Sequence, residues 1–323
     1  MNKLTRLVQN PWLLFSFLAH KGMLDWVPDK TYLKLMFRAK MGQRLNLDNP
    51  QTFSEKLQWL KLNDRNPLYT IMVDKVKAKE YVASKIGEQY IIPTLGVWEN
   101  AEDIDFNSLP DRFVLKCNHN SGKGMYICRD KSKMDEGKVR EGLKQGLKEN
   151  YYKHGREWPY RDVSRRILAE QYIEDEYSVS LGGAAQKAAF VGGLRDYKFY
   201  CFNGEPRLCQ VISNRATDEC IDFYDMEWNR LIGLIGLIGL TEGVHNGSSE
   251  ISCPYSFGDM LRCARILSAD IPFSRIDFYD IDRHAYWGEI TFFPASGFGF
   301  FRPDEWNYRI GDWVQCPVCI KTL

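Results

Sequence analysis

The feature that most constrains this chain is the stretch 274–297, SRIDFYDIDRHAYWGEITFFPASG. It reads as two strands. Polar and apolar residues alternate over 275–279, and again over 287–293 after Gly288. Successive side chains on a strand face opposite ways. Arg275, Asp277 and Tyr279 therefore share one face, and Glu289 and Thr291 share another. The polar link 280–285 between the strands suits an antiparallel hairpin. With that link centred on Arg283, Asp277 lies directly opposite Glu289. Like charges facing each other across a ladder repel. Two arrangements relieve the repulsion. In one, the face is open and both carboxylates point into water. In the other, a hard cation sits between them, since Mg²⁺ is held by one or two carboxylates plus substrate phosphates.

The rest of the chain supplies several elements to set around this hairpin. Helix-period apolar residues run over 32–41 and stop at Gly42. Thr52 or Ser54 caps a second helix through Glu55, Leu57, Trp59 and Leu60. The periodicity of Met72, Val76, Val82 and Ile86 predicts one helix over 70–86, ended by Gly87. A strand is expected to begin at 90–93. Then Phe113-Val114-Leu115-Lys116 reads as a short strand ending in a lysine. The loop Asn118-His119-Asn120-Ser121-Gly122-Lys123-Gly124 and a return strand at 125–128 follow. Such a loop lets backbone N–H groups approach a phosphate, with lysines to neutralise it. It also fits a plain hairpin loop. No GK[ST] opens a helix here, so it is not a Walker A loop.

A charged helix is expected over 131–150 and an aromatic, basic loop over 151–161. That loop and Arg215 either face an anionic saccharide or lie in solvent. Strands follow at 167–169, 178–181, 196–202 and 206–212. Asn203-Gly204 is the strongest hairpin signal in the chain. The repeat LIGLIGLIGL at 231–240 carries a glycine at every third position, which disfavours both helix and packed strand; it reads as an exposed apolar loop. A helix over 255–269 leads into the opening hairpin.

Bulk properties narrow the function classes. At 323 residues, two or three joined subdomains are expected. Net charge is +1, which implies no nucleic-acid tract. The nine cysteines are odd in number and scattered in apolar contexts, as in a reducing cytoplasm rather than a disulfide framework. Cys316 and Cys319 form a lone CxxC without the two further ligands that a structural zinc site needs. The apolar run 12–18 is too short to span a bilayer, and no signal peptide is read. His119 and His284 read as loop polar residues, His119 being the better candidate for contact with a phosphate.

Taken in order, these pieces resemble the ATP-grasp superfamily, and in detail its TupA-like branch. The residues that carry the likeness are Pro50-x-Thr52-Phe53-x-Glu55-Lys56-x-Gln58-Trp59, Asp74-Lys75, Phe113 to Lys116, the segment 196–204, and R-x-D with G-E-x-T-x-x-P-x-x-G at 275–297. The likeness covers about 43–311. It implies an α+β ATP-grasp fold, with the nucleotide between two antiparallel-sheet subdomains. The implied division is an N-terminal helical extension at 1–66, an α/β linker at 67–111, a small lid at 112–176 and a large subdomain at 177–323.

The resemblance also implies roles. Lys116 would meet the α-phosphate, and Lys198 would be a second lysine near the phosphates. Ser121, Gly122 and Gly124 would form the mobile loop over ATP. Glu170, Gln171, Tyr172 and Ile173 would be the hinge that receives adenine, with Glu174 or Glu176 near ribose. Asp277 and Glu289 match Mg²⁺ ligands, and Arg275 an arginine that steadies the transferred phosphoryl group. Thr291 stands where many relatives carry a third ligand, asparagine. The implied reaction joins a carboxylate to an amine through an acyl-phosphate, on a uronic acid or amino acid of a bacterial surface polysaccharide. The implied setting is the cytoplasm, peripheral to membrane-bound polysaccharide machinery. Two other classes remain: a glycosyltransferase, for which Asp280-Ile281-Asp282 is formally a D-x-D, and a kinase that stops at phosphoryl transfer. A nucleotide-binding scaffold without turnover is the non-enzymatic alternative.

Overall fold

The computed structural model describes residues 11–174, 194–213, 219–238 and 245–316. The N-terminal part is helical. Helix α1 (Pro11–His20) packs on α2 (Asp29–Met41), whose Tyr32, Leu33, Met36 and Phe37 are buried on one side. Gly42 ends α2 with φ 72°, in the left-handed region that glycine enters freely. Helix α3 (Phe53–Asn63) starts with a capping box: Thr52 accepts from the Glu55 N–H, and the Glu55 carboxylate accepts from the Thr52 N–H.

The single helix expected over 70–86 is two helices, α4 (Leu68–Val73) and α5 (Lys77–Ile86). Asp74 breaks them at φ −72°, ψ 103°. Its carboxylate accepts from the backbone N–H groups of Val76 at 3.0 Å and Lys77 at 3.4 Å. A short acidic side chain thereby competes with the helix ladder for the same donors. A 3₁₀ turn (Glu88–Tyr90) and a bridge from Ile91 to Trp287 replace the strand start expected at 90–93.

Four strands form the first sheet: β1 (Thr94–Trp98), β2 (Phe113–Cys117), β3 (Tyr126–Cys128) and β4 (Ile167–Gln171), in the order β1-β4-β2-β3, all antiparallel. Helix α6 (Glu136–Lys148) lays Val139 and Leu143 on Phe113, Leu115, Ile167 and Ala169, a core of its own. The stretch expected as an aromatic, basic loop at 151–161 instead folds as α7 (Tyr151–Gly155) and a 3₁₀ turn (Trp158–Tyr160), with Arg156 only 4% exposed. Its rings find apolar neighbours, so the segment packs rather than standing in water.

The second sheet holds β5 (Asp196–Phe202), β6 (Glu205–Ser213), β7 (Cys220–Tyr224), β9 (Ser274–Ile281) and β10 (His284–Thr291), in the order β10-β9-β5-β6-β7. Asn203 and Gly204 turn β5 into β6 at φ 50° and 85°, as a two-residue hairpin requires. Helix α8 (Phe257–Leu267) covers this sheet. The segment 178–181, Arg215, Glu176 and Cys319 lie outside the described residues.

The LIG repeat is not simply a loop. Its residues Ile235–Ile238 form β8, paired with β11 (Phe300–Arg302). A Cβ at Gly236 would stand 2.5 Å from the Phe301 ring and 2.6 Å from the Phe223 ring. The glycine is what lets those rings lie against the strand. Helix α9 (Glu305–Trp313) closes on α3 through Gly311, where a Cβ would meet the Gln51 carbonyl oxygen at 2.3 Å. Gly311→Ala is expected to cost about 1–3 kcal/mol, because backbone faces backbone and cannot yield as a side chain can. Chemical denaturation checks it; a midpoint within error of the parent would refute the close contact.

Candidate active site

Asp282 and Arg283 make the turn of the β9–β10 hairpin, with φ of 50° and 67°. This two-residue loop pairs Ile281 with His284 and Phe278 with Trp287. Continued unbroken, it would set Asp277 against Gly288. A bulge between Trp287 and Glu289 advances the register by one, and Glu289 pairs with Asp277. The pairing expected from a link centred on Arg283 is thus present, reached through a tighter turn plus a bulge. Gly288 permits it, because a Cβ there would lie 3.3 Å from the Asp277 carbonyl oxygen.

Side chains of the protein itself occupy the space between the carboxylates. Arg275 grips Asp277 with Nε to Oδ1 and Nη2 to Oδ2, both at 2.7 Å. The same Nη2 donates to Glu289 Oε1 at 3.1 Å and Thr291 Oγ1 at 3.2 Å. Lys198, on the neighbouring β5, reaches Asp277 Oδ2 at 2.5 Å and Asp196 at 3.4 Å. Burial pushes the Glu289 carboxyl up, but Lys75, Arg275, Lys198 and Lys116 outweigh it and hold it down at about 2. Its side chain is still 39% exposed, so water moderates that pull. Arg275 touches Glu289 directly, and the three lysines act on it through space. Cations from four separate elements converge on one carboxylate.

Two of those cations come from the first sheet and the helix break. Lys116 at the end of β2 pairs with Glu170 of β4 at 2.5 Å, and Lys79 of α5 pairs with the other oxygen of Glu170 at 2.7 Å. Lys75 stands in the gap between α4 and α5. Its Nζ donates to the Asn120 carbonyl at 2.6 Å and its N–H to the Asn118 carbonyl at 3.1 Å. Burial lowers the Lys75 ammonium pKa, with Glu289 working the other way.

The loop after β2 has a buried base and an exposed tip. Asn118, His119 and Asn120 are 0–3% exposed, while Ser121, Gly122 and Lys123 are open to solvent. Gly122 and Gly124 take φ 88° and 68°. A Cβ at Gly124 would strike Cys117 Sγ at 2.7 Å, so the loop returns tightly over β2. His119 turns inward and holds the Glu149 carbonyl through Nε2 at 3.0 Å. It is a strut of the loop base rather than an outward contact.

Glu170 faces its two lysines, and the β4 ladder stops at Gln171, whose N–H is taken by the Pro93 carbonyl. Tyr172 and Ile173 continue beyond the ladder, with the Arg112 guanidinium over the Tyr172 ring at 5.2 Å. The structure therefore joins Lys198, Arg275, Asp277, Glu289 and Thr291 in one hydrogen-bonded group, and pairs Lys116 with Glu170 on the first sheet, with the Ser121–Gly124 tip and the 171–173 segment at the end of that sheet. Lys75, Lys79 and Glu149 are the residues sequence reasoning missed. Asp74-Lys75 had stood out as a pair but was assigned to a helix interior, where a lysine reads as solvated.

Helix α3 contributes from behind. Gln58 Nε2 donates to the carbonyls of Ser296 at 3.1 Å and Gly297 at 2.7 Å. Lys61 Nζ donates to Ser296 O and Gly155 O, each at 2.6 Å, and Ser54 donates to Gly299 O. These clasp a turn in which Ala295 and Ser296 hold φ of 50° and 53°, strained for non-glycine residues. Burial lowers the Lys61 ammonium to about 7, although Glu157 opposes the shift. The two motif pieces around 50–59 and 294–297 are thus halves of one clasp.

Glu170→Gln leaves Lys79 and Lys116 without a counter-charge and is expected to cost about 3 kcal/mol. Burial opposes ionisation of Glu170, but Lys116 and Lys79 outweigh it and lower its pKa below the usual 4.5. A depressed folded-state pKa means that this stabilisation is whole above about pH 4.5 and is lost as pH falls through the folded value. The substitution should therefore flatten the acid side of the stability curve. Parallel parent and variant curves below pH 4.5 would exclude it.

The sequence matches the TupA-like ATPgrasp family over residues 55–315. No curated protein matches it. Among solved structures, a D-alanine–D-alanine ligase from Helicobacter pylori is 15% identical at TM-score 0.41, covering 81% of this chain and 69% of that one. An L-amino acid ligase from Bacillus licheniformis is 10% identical at TM-score 0.41, covering 87% and 55%. A D-alanine–D-alanine ligase from Bacillus anthracis complexed with ATP is 15% identical at TM-score 0.36, covering 68% and 53%, so this chain spans about half of that protein's length. With the match running through both sheets and the Arg275–Asp277–Glu289 group, this chain belongs to the TupA-like branch of the ATP-grasp family and has its α+β ATP-grasp fold.

Proposed function

We propose that this chain is an ATP- and Mg²⁺-dependent carboxylate–amine ligase. The observation that carries the reading is the convergence of Lys75, Lys116, Lys198 and Arg275 on the Asp277–Glu289 pair. A polyphosphate needs several fixed cations, and a pair of adjacent carboxylates is the donor set that holds Mg²⁺ together with phosphate oxygens. Among the described residues no group of three or more His, Cys, Asp and Glu gathers as a closed metal cage. Asp277 and Glu289 would hold the Mg²⁺, with the Thr291 hydroxyl beside them. When bound, Mg²⁺ offsets charge on the phosphate oxygens.

Lys116 and Lys75 fix the phosphates from the first sheet and the helix break. Arg275 and Lys198 face them from the second sheet. The acid's carboxylate oxygen attacks the terminal phosphorus and ADP leaves; the amine then attacks the acyl carbon, phosphate leaves, and the amine's proton passes to solvent. We assign residues 171–173 to receiving adenine and the 121–124 tip to covering the phosphates. We assign residues 112–176 as the lid and 177–323 as the large subdomain, with 1–66 the helical extension and 67–111 the linker. The acid is proposed as a uronic acid or amino acid of a bacterial surface polysaccharide, and the site of action as the cytoplasmic face of the membrane. No helix among the described residues is long and apolar enough to cross a membrane.

The glycosyltransferase reading loses its motif. Asp280 accepts from Tyr255 N–H at 3.0 Å and Ser256 Oγ at 2.7 Å, and Asp282 sits in the hairpin turn. The test is ADP release from ATP in the presence of uronic acids, with and without amines. Release that requires acid, amine and Mg²⁺ together is the expected result. Turnover of a sugar nucleotide without ATP would overturn the proposal.

A further inference from the structure

The connection between α1 and α2 carries large apolar side chains in solvent. Trp26 is 80% exposed, Met23 61%, and Phe17, in the last turn of α1, 52%. Single exposed apolar residues are ordinary; three large ones within the span 17–26 are not. The segment is nevertheless firmly built. The Lys21 N–H donates to the Phe17 carbonyl at 3.1 Å, the Met23 N–H to the Leu18 carbonyl at 3.1 Å, and the Trp26 indole N–H to the Met23 carbonyl at 3.2 Å. From within, the buried Arg156 guanidinium donates to the carbonyls of Leu24, Asp25 and Val27 at 3.1, 3.4 and 3.3 Å. The exposure of Trp26 and Met23 is thus a property of a fixed loop.

The charges around this tip are sorted. Residues 11–44 hold six lysines and arginines against two aspartates, while the whole chain holds 43 basic residues against 42 acids. Both aspartates are taken up by the body of the protein. Asp25 pairs with Lys153 of α7, and Asp29 accepts the Tyr152 hydroxyl at 2.7 Å and lies 3.7 Å from Arg156. Lys21, Lys30, Lys34 and Arg38 are exposed, and none of them meets a carboxylate among the described residues. Lys30, Lys34 and Arg38 recur at every fourth position, a stripe along the open side of α2 that begins beside the tip. Lys21 stands over the Phe17 ring at 5.9 Å.

We infer that the α1–α2 tip docks this protein on an anionic lipid bilayer. Trp26, Met23 and Phe17 enter the boundary between headgroups and acyl chains, and Lys21, Lys30, Lys34 and Arg38 lie against the acidic headgroups. Trp26 suits that boundary, because its one polar atom is already bonded to Met23 and the ring sheds water without leaving a donor unpaired. Binding of this kind adds the burial of apolar area to the attraction between basic residues and acidic lipid. A neutral apolar surface would take the rings and leave the cations unbalanced; an acidic bilayer satisfies both. The inference rests on the membrane-face placement proposed above for its setting, and on no step of the ligase reaction.

The test is co-sedimentation of the full chain, without ATP, with vesicles of phosphatidylcholine alone or with one-third phosphatidylglycerol. Binding should be about tenfold tighter to the acidic vesicles and should weaken as salt screens the charges. Trp26→Ser combined with Met23→Ser should lower binding to acidic vesicles about tenfold, with the melting temperature kept, since both side chains stand in solvent. Lys30→Gln combined with Lys34→Gln is an independent arm, and should lower binding and flatten its salt dependence. Equal binding to both kinds of vesicle overturns the inference, and so does binding to neither. Acidic-vesicle binding that survives Trp26→Ser with Met23→Ser is adsorption by charge alone and overturns it too. Self-association that this double substitution abolishes, without vesicle binding, makes a second copy the occupant and likewise overturns it. Tip-dependent vesicle binding by a chain that releases no ADP leaves the docking intact and removes the ligase; ADP release without vesicle binding does the reverse.

Discussion

Arg275→Met is expected to lower kcat by about 10³-fold or more while the protein still binds ATP. Among the described residues, Arg275 is the one side chain that hydrogen-bonds to Asp277, Glu289 and Thr291 together. Without it, two carboxylates face each other across β9 and β10, and Glu289 loses its direct hydrogen-bonded cation. Some stability is lost, and a structural role alone would end there. The discriminating measurement is single-turnover ADP formation at a temperature where thermal unfolding shows the variant folded. A purely structural arginine would leave turnover in proportion to the folded fraction. One that also balances charge on the phosphoryl group would not. Arg275→Lys sharpens the contrast, because lysine keeps the charge and loses the planar fork that makes the bidentate grip. It should regain stability more than rate. Turnover above one-tenth of the parent in folded Arg275→Met would remove Arg275 from the reacting centre.

That argument starts from a hairpin whose logic was legible in the chain. Alternation placed Arg275 and Asp277 on one face, and like-charge repulsion left two readings of the Asp277–Glu289 pair, an open face or a cation between them. The identity of the neutralising groups was not legible from the hairpin. Lys198 is a neighbour only because β9 lies between β10 and β5, which is a fact of sheet order. The register came from two compensating local features, a two-residue turn and a bulge at Gly288, which a symmetrical link imitates. The repeat at 231–240 was misread for a similar reason. Glycine weakens a strand in isolation, but at Gly236 the decisive neighbours are Phe301 and Phe223, and the former lies far along the chain. Side-chain periodicity reports which face of an element is buried. It does not report which distant element supplies the other wall.

The helix break at Asp74 shows how much a single competing hydrogen bond can decide. Asp74→Ala is expected to lower the melting temperature by about 10 °C, from a loss of about 3–5 kcal/mol. The carboxylate is 1% exposed and serves four donors: the N–H groups of Val76 and Lys77, Asn118 Nδ2 at 2.8 Å and Arg166 Nη2 at 3.2 Å. Water can reach Arg166, which is 23% exposed, but Asn118 is fully buried. Asn118 in turn accepts the Arg166 N–H at 2.7 Å and fixes the base of the phosphate loop. Alanine also favours helix, so α4 and α5 gain the chance to merge, turning Lys75 away from Asn120 and the cleft. The variant should therefore raise KM for ATP at temperatures where it remains folded, an effect that mere destabilisation does not give. Asp74→Asn keeps an acceptor oxygen for the two backbone donors and should preserve the break, losing mainly the charge on Arg166. Its KM for ATP should stay near the parent's while its stability falls part of the way. If Asp74→Ala melts early yet binds ATP as the parent does, Lys75 is not a phosphate ligand, and the cationic cluster at Glu289 has three members rather than four.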